Sequence, residues 1–131
     1  MARTSIPFIP TPLVDRFEKA FAKFVEAVSN AVDDAATKPE LAATPSFRSW
    51  QSKALPLLQQ QNVSLQAALA LFQKGDLNPI LTFAEDKRAL AKDMDGFSLT
   101  FSGPDHAADL EALQTAVVMA AFNLCAAAGI P

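Results

Sequence analysis

Residue types that do chemistry are scarce in this chain. It carries one cysteine, one histidine and no tyrosine in 131 residues. A single cysteine, Cys125, cannot close an internal disulfide, so nothing requires an oxidising compartment. It lies in an apolar run, where a free thiol behaves as a small hydrophobe. A Ser-His-acid triad would have to use His106, and no Gly-x-Ser-x-Gly turn is present to present a nucleophile. Phosphate-cradling loops, Gly-x-Gly-x-x-Gly and paired-cysteine metal spacings are also missing. These absences weigh against catalysis. No catalytic residue, cofactor site or metal site is assigned.

Weak motifs fail in the same way. His106 and Asp109, three positions apart, could offer two metal ligands, but the Glu-x-x-His pairs of helical di-metal sites are absent. Asp33 and Asp34 close the first helix without a third ligand in sequence. Asp93-Met94-Asp95-Gly96 has the look of a calcium loop, yet the positions for its first acid and closing glutamate hold Ala91 and Ser102. A phosphotransfer histidine is disfavoured because acids surround His106.

Excess basic charge is lacking too. The formal net charge is −3 and the pI is near 5.0, which argues against nucleic acid as a partner. Between Thr37 and Gln61 three cations face Glu40 alone, whereas only acids occur from Asp105 onward. This asymmetry suggests weak internal complementarity. The N-terminus contains no continuous apolar core of the signal-peptide kind, because prolines 7, 10 and 12 interrupt it. The stretch closest to a membrane span, Thr115–Pro131, is uncharged, but it is alanine-rich, contains Asn123 and falls short of the ~20 apolar residues required. A cytoplasmic protein that does not cross a membrane is the expectation.

What the chain has is punctuation for helices. Thr11-Pro12, Thr44-Pro45, Asn78-Pro79 and Gly103-Pro104 each pair a cap-type residue with proline. Proline suits the first helical turn, where its missing N–H has no intrahelical partner. Thr and Asn can accept from the free N–H groups of that turn. Half the residues are hydrophobic, and they recur at helical spacing. An all-α fold is therefore predicted: a single-domain bundle of about five helices over residues 11–131, preceded by an extended arm over residues 1–10.

The first helix is predicted over Pro12–Ala35, with Val14, Phe17, Phe21, Phe24, Val28 and Ala31 as one apolar seam. Thr37-Lys38-Pro39-Glu40 has the form of a capping box for a single turn. A helix of about 15 residues should follow Thr44-Pro45, with Pro56 disturbing its hydrogen bonds near Ser52. Gln59–Asn62 reads as a polar break, Ser64 as the cap of a short helix to Lys74, and Gly75 as its stop. A further helix is expected from Asn78 to about Met94, with the Glu85–Lys92 region in water. Residues 96–103 alternate Phe97, Leu99 and Phe101 with Ser98, Thr100 and Ser102, which is strand periodicity. With no second strand to pair with, this segment is read as a short extended connector; pairing across a subunit interface and a local hairpin are the alternatives. The last helix, from about Pro104 to Ala128, is apolar all round and is expected to be buried at the centre.

The functional expectation follows from surplus apolar surface. It is a non-catalytic interaction or structural protein, self-associating or in a complex. The alternative is a carrier or sensor that holds an apolar small molecule or meets a lipid-like surface. Phe47-Arg48-Ser49-Trp50-Gln51-Ser52-Lys53 sets two cations around the only tryptophan, a pattern suited to protein contact. The competing reading is a core tryptophan with cations reaching out to water. Candidate interaction residues are Phe8, Phe47, Arg48, Trp50, Lys53, Phe97, Leu99 and Phe101.

Overall fold

The computed structural model describes residues 11–94 and 97–130. Their order is α1 (Thr11–Ala36), α2 (Pro39–Ala42), α3 (Pro45–Ser49), a π-helical turn (Trp50–Ala54), α4 (Leu55–Gln73), α5 (Asn78–Lys87), α6 (Leu90–Asp93), a 3-10 turn (Leu99–Ser102) and α7 (Pro104–Ala127). The fold is all-α, with no strand among the described residues. The expected arm over residues 1–10 lies outside them.

The seam of α1 forms as its spacing requires. Val14, Phe17, Phe21, Phe24, Val28 and Ala31 are all buried. Phe83 of α5 meets two of these rings edge-on, with centroids 5.8 Å from Phe17 and 5.5 Å from Phe21. Burying one phenylalanine stabilises by roughly 1.5–3 kcal/mol, so this stripe anchors the fold. The most extensive helix–helix contact in the molecule joins α1 to α7.

The caps follow the proline pairs in part. Thr44 Oγ1 accepts from the Phe47 N–H at 3.2 Å and donates to Leu41 O at 2.7 Å. Thr37 does not build a capping box; its hydroxyl donates back to Asp34 O at 2.7 Å and finishes α1. Asn78 is the first residue of α5, and its N–H donates to Asp76 Oδ1 at 3.2 Å. Gly75 and Gly129 adopt φ of +93° and +76°. Each allows the following N–H to reach five residues back, from Asp76 to Leu71 O and from Ile130 to Cys125 O, the closing bond of a Schellman motif.

Pro56 acts where expected. Its ring would collide with the carbonyl of Ser52 in a regular α-helix. The chain widens instead, and the Leu55 N–H donates to Trp50 O, five residues back. Beyond it, two expectations are corrected. Gln59–Asn62 is no break: α4 runs through it, because Leu58 and Leu65 lie two turns apart on one buried face and glutamine is a good helix former. Ser64 is accordingly mid-helix and caps nothing.

Three further expectations change. The helix that begins at Asn78 stops at Lys87, and a turn at Arg88-Ala89 restarts it as α6. That turn brings Leu90 and Met94 into the core, with α6 against α7. Lys87, expected in water, is only 1% exposed. Its ammonium lies 5.4 Å from the Phe83 ring centre, 3.0 Å from Asp86 Oδ2 and 3.8 Å from Asp93 Oδ2. Finally, the alternating segment is not extended over Leu99–Ser102. It coils into a 3-10 turn, because Phe101 must turn inward to stack on Trp50.

Candidate interaction surface

The candidate residues separate into an interior group and a surface group. Trp50 is fully buried on the π-helical turn. Its indole stacks on Phe101 with centroids 4.8 Å apart and meets Phe97 edge-on at 5.8 Å. The indole N–H donates to Ser98 O at 2.8 Å. Phe47 and Phe101 are buried, while Phe97 and Leu99 are half-buried against the core. Arg48 and Lys53 are exposed. The geometry is that of a core tryptophan with cations reaching outward: the aromatic residues clamp the 3-10 turn to the helices and leave little for a partner to touch. Phe8 lies outside the described residues.

His106 begins the other polar feature. Its Nε2 lies 3.1 Å from Asp34 Oδ2, and Lys38 Nζ lies 3.1 Å from the same oxygen. The three join the last turn of α1, the residues after it and the first turn of α7. Lys38 first, and His106 second, hold the Asp34 carboxyl below the ordinary carboxylate range. An acid is disfavoured at a helix C-terminus and favoured near an N-terminus, so the first turn of α7 and Lys38 together offset the strain at the end of α1. An open groove of about 470 Å³ lies beside it, lined by Ala27, Asn30, His106, Asp109, Leu110 and Leu113. Both ionic partners are about 40% exposed. Among the described residues no three His, Cys, Asp or Glu side chains converge to hold a metal.

The feature that sequence reasoning missed is on α7. This helix contacts α1, α5, α6 and the 3-10 turn, so it is the hub of the packing. Leu110, Val117, Ala121 and Leu124 face inward, and Cys125 joins them, its thiol pushed up by burial. The opposite face is not covered. Met119 is 56% and Phe122 is 50% exposed, and Ala108, Ala112, Thr115, Ala116 and Ala126 share their side of the helix, together with the polar Asn123. The stripe advances by three or four residues at each step, the period of a helix face. It is about 27 Å long at about 1.5 Å per residue. From Ala112 to Ile130 there is no charged residue. The signal was present in the sequence as all-round apolarity, which was read as burial on every side.

By length and composition alone, His106–Ala127 is long and apolar enough to cross a membrane, with 28% of its most apolar window buried inside the fold. In this packing α7 lies along α1, whose outer face carries Asp15, Arg16, Lys19, Lys23 and Glu26, all exposed. Lipid on every side would strip those charges of water at a cost of several kcal/mol. One face of α7, not its whole circumference, is exposed in this packing. The remaining large exposed apolar residues, Leu57, Val63 and Leu71, lie on α4. Leu71 borders an open groove of about 670 Å³ between α4 and α5, with Phe83 on its wall.

Comparison with known proteins finds no match: no family model, no curated protein and no solved structure resembles this chain.

Proposed function

We propose that this is a non-catalytic interaction protein that associates with itself through the uncovered face of α7. The observation that carries the reading is the half-exposure of Met119 and Phe122 on a helix with no charge from Ala112 onward. Large apolar side chains scattered singly on a surface mean little, but a contiguous apolar patch marks a contact site. The rest of the chain supports this by contrast. The Phe stripe of α1 and the Trp50 cluster are already satisfied inside the fold, so the large exposed apolar side chains fall on α7 and, at Leu57, Val63 and Leu71, on α4.

Sedimentation equilibrium over a range of concentrations tests the proposal. The wild-type mass is expected to rise toward a multiple of 14.0 kDa. Phe122→Glu, alone or with Met119→Lys, is expected to hold the protein monomeric with an unchanged helical circular dichroism spectrum. A wild-type chain that stays monomeric at millimolar concentration contradicts the proposal. The carrier reading retains one supporting observation, the α4–α5 groove, whose size lies within the range of small-molecule sites. Fluorescence enhancement of an apolar dye that Leu71→Gln abolishes and Phe122→Glu leaves intact would favour that reading instead.

A further inference from the structure

We infer that the partner of the α7 face is a second copy of this chain laid antiparallel across it, with Glu111 of each copy beside Arg88 and Phe122 of the other. This rests on the self-association proposed above and specifies its geometry. Glu111 and Phe122 are eleven positions apart. Eleven residues make about three turns, so both lie on the same flank of the exposed stripe, about 16 Å apart along the axis. Arg88, at the end of α5, marks that flank: its guanidinium lies 5.6 Å from the Phe122 ring centre and 3.6 Å from Glu85.

Charge decides between the two ways of pairing α7 with itself. Its exposed acids, Asp109 and Glu111, lie toward its start. The arginine lies near its far half. A parallel pair aligns the two helix dipoles side by side, which is unfavourable, and carries each Glu111 to the flank opposite the second copy's arginine. An antiparallel pair has a two-fold axis between Ala116 and Val117, midway between Glu111 and Phe122. That axis keeps each flank on its own side and reverses direction along the helix. Each Glu111 therefore comes level with the second copy's Phe122 and Arg88. At the centre, Ala112 and Ala116 let the backbones approach, and Met119 packs over the second copy's Thr115 and Ala116. Met119 and Phe122 are the only large apolar side chains exposed on α7 among the described residues, too few to bury the ~800 Å² per partner of a standard stable interface. The dimer is thus expected to be weak, with dissociation in the micromolar range or above.

Charge-swap variants read out this arrangement by sedimentation. Glu111→Arg sets arginine against Arg88, and Arg88→Glu sets glutamate against Glu111, so each alone is expected to weaken dimerisation at least tenfold. Mixed in equal amounts, the two variants form a heterodimer in which both contacts are opposite in charge, and the affinity should return to within a few-fold of wild type. On a Cys125→Ala background, Ala116→Cys should form an intermolecular disulfide under mild oxidation. Ala112→Cys should not, because its copies lie about 13 Å apart along the axis. Failure of the mixture to restore the dimer, or cross-linking of Ala112→Cys as fast as Ala116→Cys, would overturn the antiparallel pairing. If Phe122→Glu dissociates the wild-type dimer while the charge swaps do nothing, only this geometry fails. Should Phe122→Glu leave the mass unchanged, self-association through α7 fails as well. Binding of a wild-type monomer to neutral phosphatidylcholine vesicles, lost in Phe122→Glu, would replace the second copy with a lipid surface.

Discussion

Replacing Trp50 separates an internal strut from a contact residue. The side chain is fully buried, stacks on Phe101, meets Phe97 edge-on and donates to Ser98 O. Trp50→Ala removes all three and leaves a void, for which core truncations of this size cost roughly 3–5 kcal/mol. Trp50→Phe keeps an aromatic ring in the stack but deletes the hydrogen bond, worth about 1 kcal/mol. A smaller ring adds about 1 kcal/mol of lost packing, for a total near 2 kcal/mol. Domains of this kind are stable by about 5–15 kcal/mol, so the alanine variant forfeits a large share. Arg48→Ala, on the exposed side of the same segment, should fall within about 0.5 kcal/mol of wild type. Urea unfolding followed by circular dichroism at 222 nm is the proper assay, since Trp50 is the only tryptophan and tyrosine is absent. A cost below about 0.5 kcal/mol for Trp50→Ala, in the range of surface changes, would refute the packing of the 3-10 turn on the π-helical turn.

Two other expectations follow from titrating groups. Cys125 is 1% exposed and its thiol is pushed up by burial, so with its sulfur out of reach it should react with a disulfide reagent only as fast as the native fold opens. Labelling at the rate of a small free thiol at neutral pH would mean that the inner face of α7 is not sealed. Asp34 is held below its ordinary range by Lys38 and then His106. A depressed folded-state pKa contributes stability that is complete above the ordinary carboxylate range and lost as pH falls through the folded value. The difference between wild type and Asp34→Asn should accordingly be constant at neutral pH and vanish in strong acid. Thermal melts from pH 7 to pH 2 check this, and a difference that grows on acidification would reverse the assigned sign.

The helical character of the chain was legible because its signals are local. A proline in a first turn, a threonine that accepts the Phe47 N–H, and a glycine that lets the next N–H reach back act within one or two turns. The seam of α1 was equally plain, since Val14 through Ala31 keep step with the helix. Reading failed where a local signal met a longer-range demand. Gln59–Asn62 looked like a break, yet Leu58 and Leu65 both needed the same core and pulled the helix through. Phe97, Leu99 and Phe101 alternate as in a strand, but no second strand exists among the described residues, and stacking on Trp50 wound the segment into a turn. Lys87 sits in a charged stretch, and only the position of α5 over the core explains its burial.

By itself the amino-acid order determined that this protein is helical and where most helices begin and end, and it holds one histidine, one cysteine and no tyrosine. Those are properties of neighbouring residues, set by backbone hydrogen bonding and side-chain type. Tertiary packing alone decided which apolar side chains are consumed inside and which remain outside. Trp50 and Phe101 found each other across the fold, whereas Met119 and Phe122 stay about half-exposed. An apolar helix face is buried only when another element is placed to lie on it, and α1, α5 and α6 cover one side of α7 and leave the other exposed.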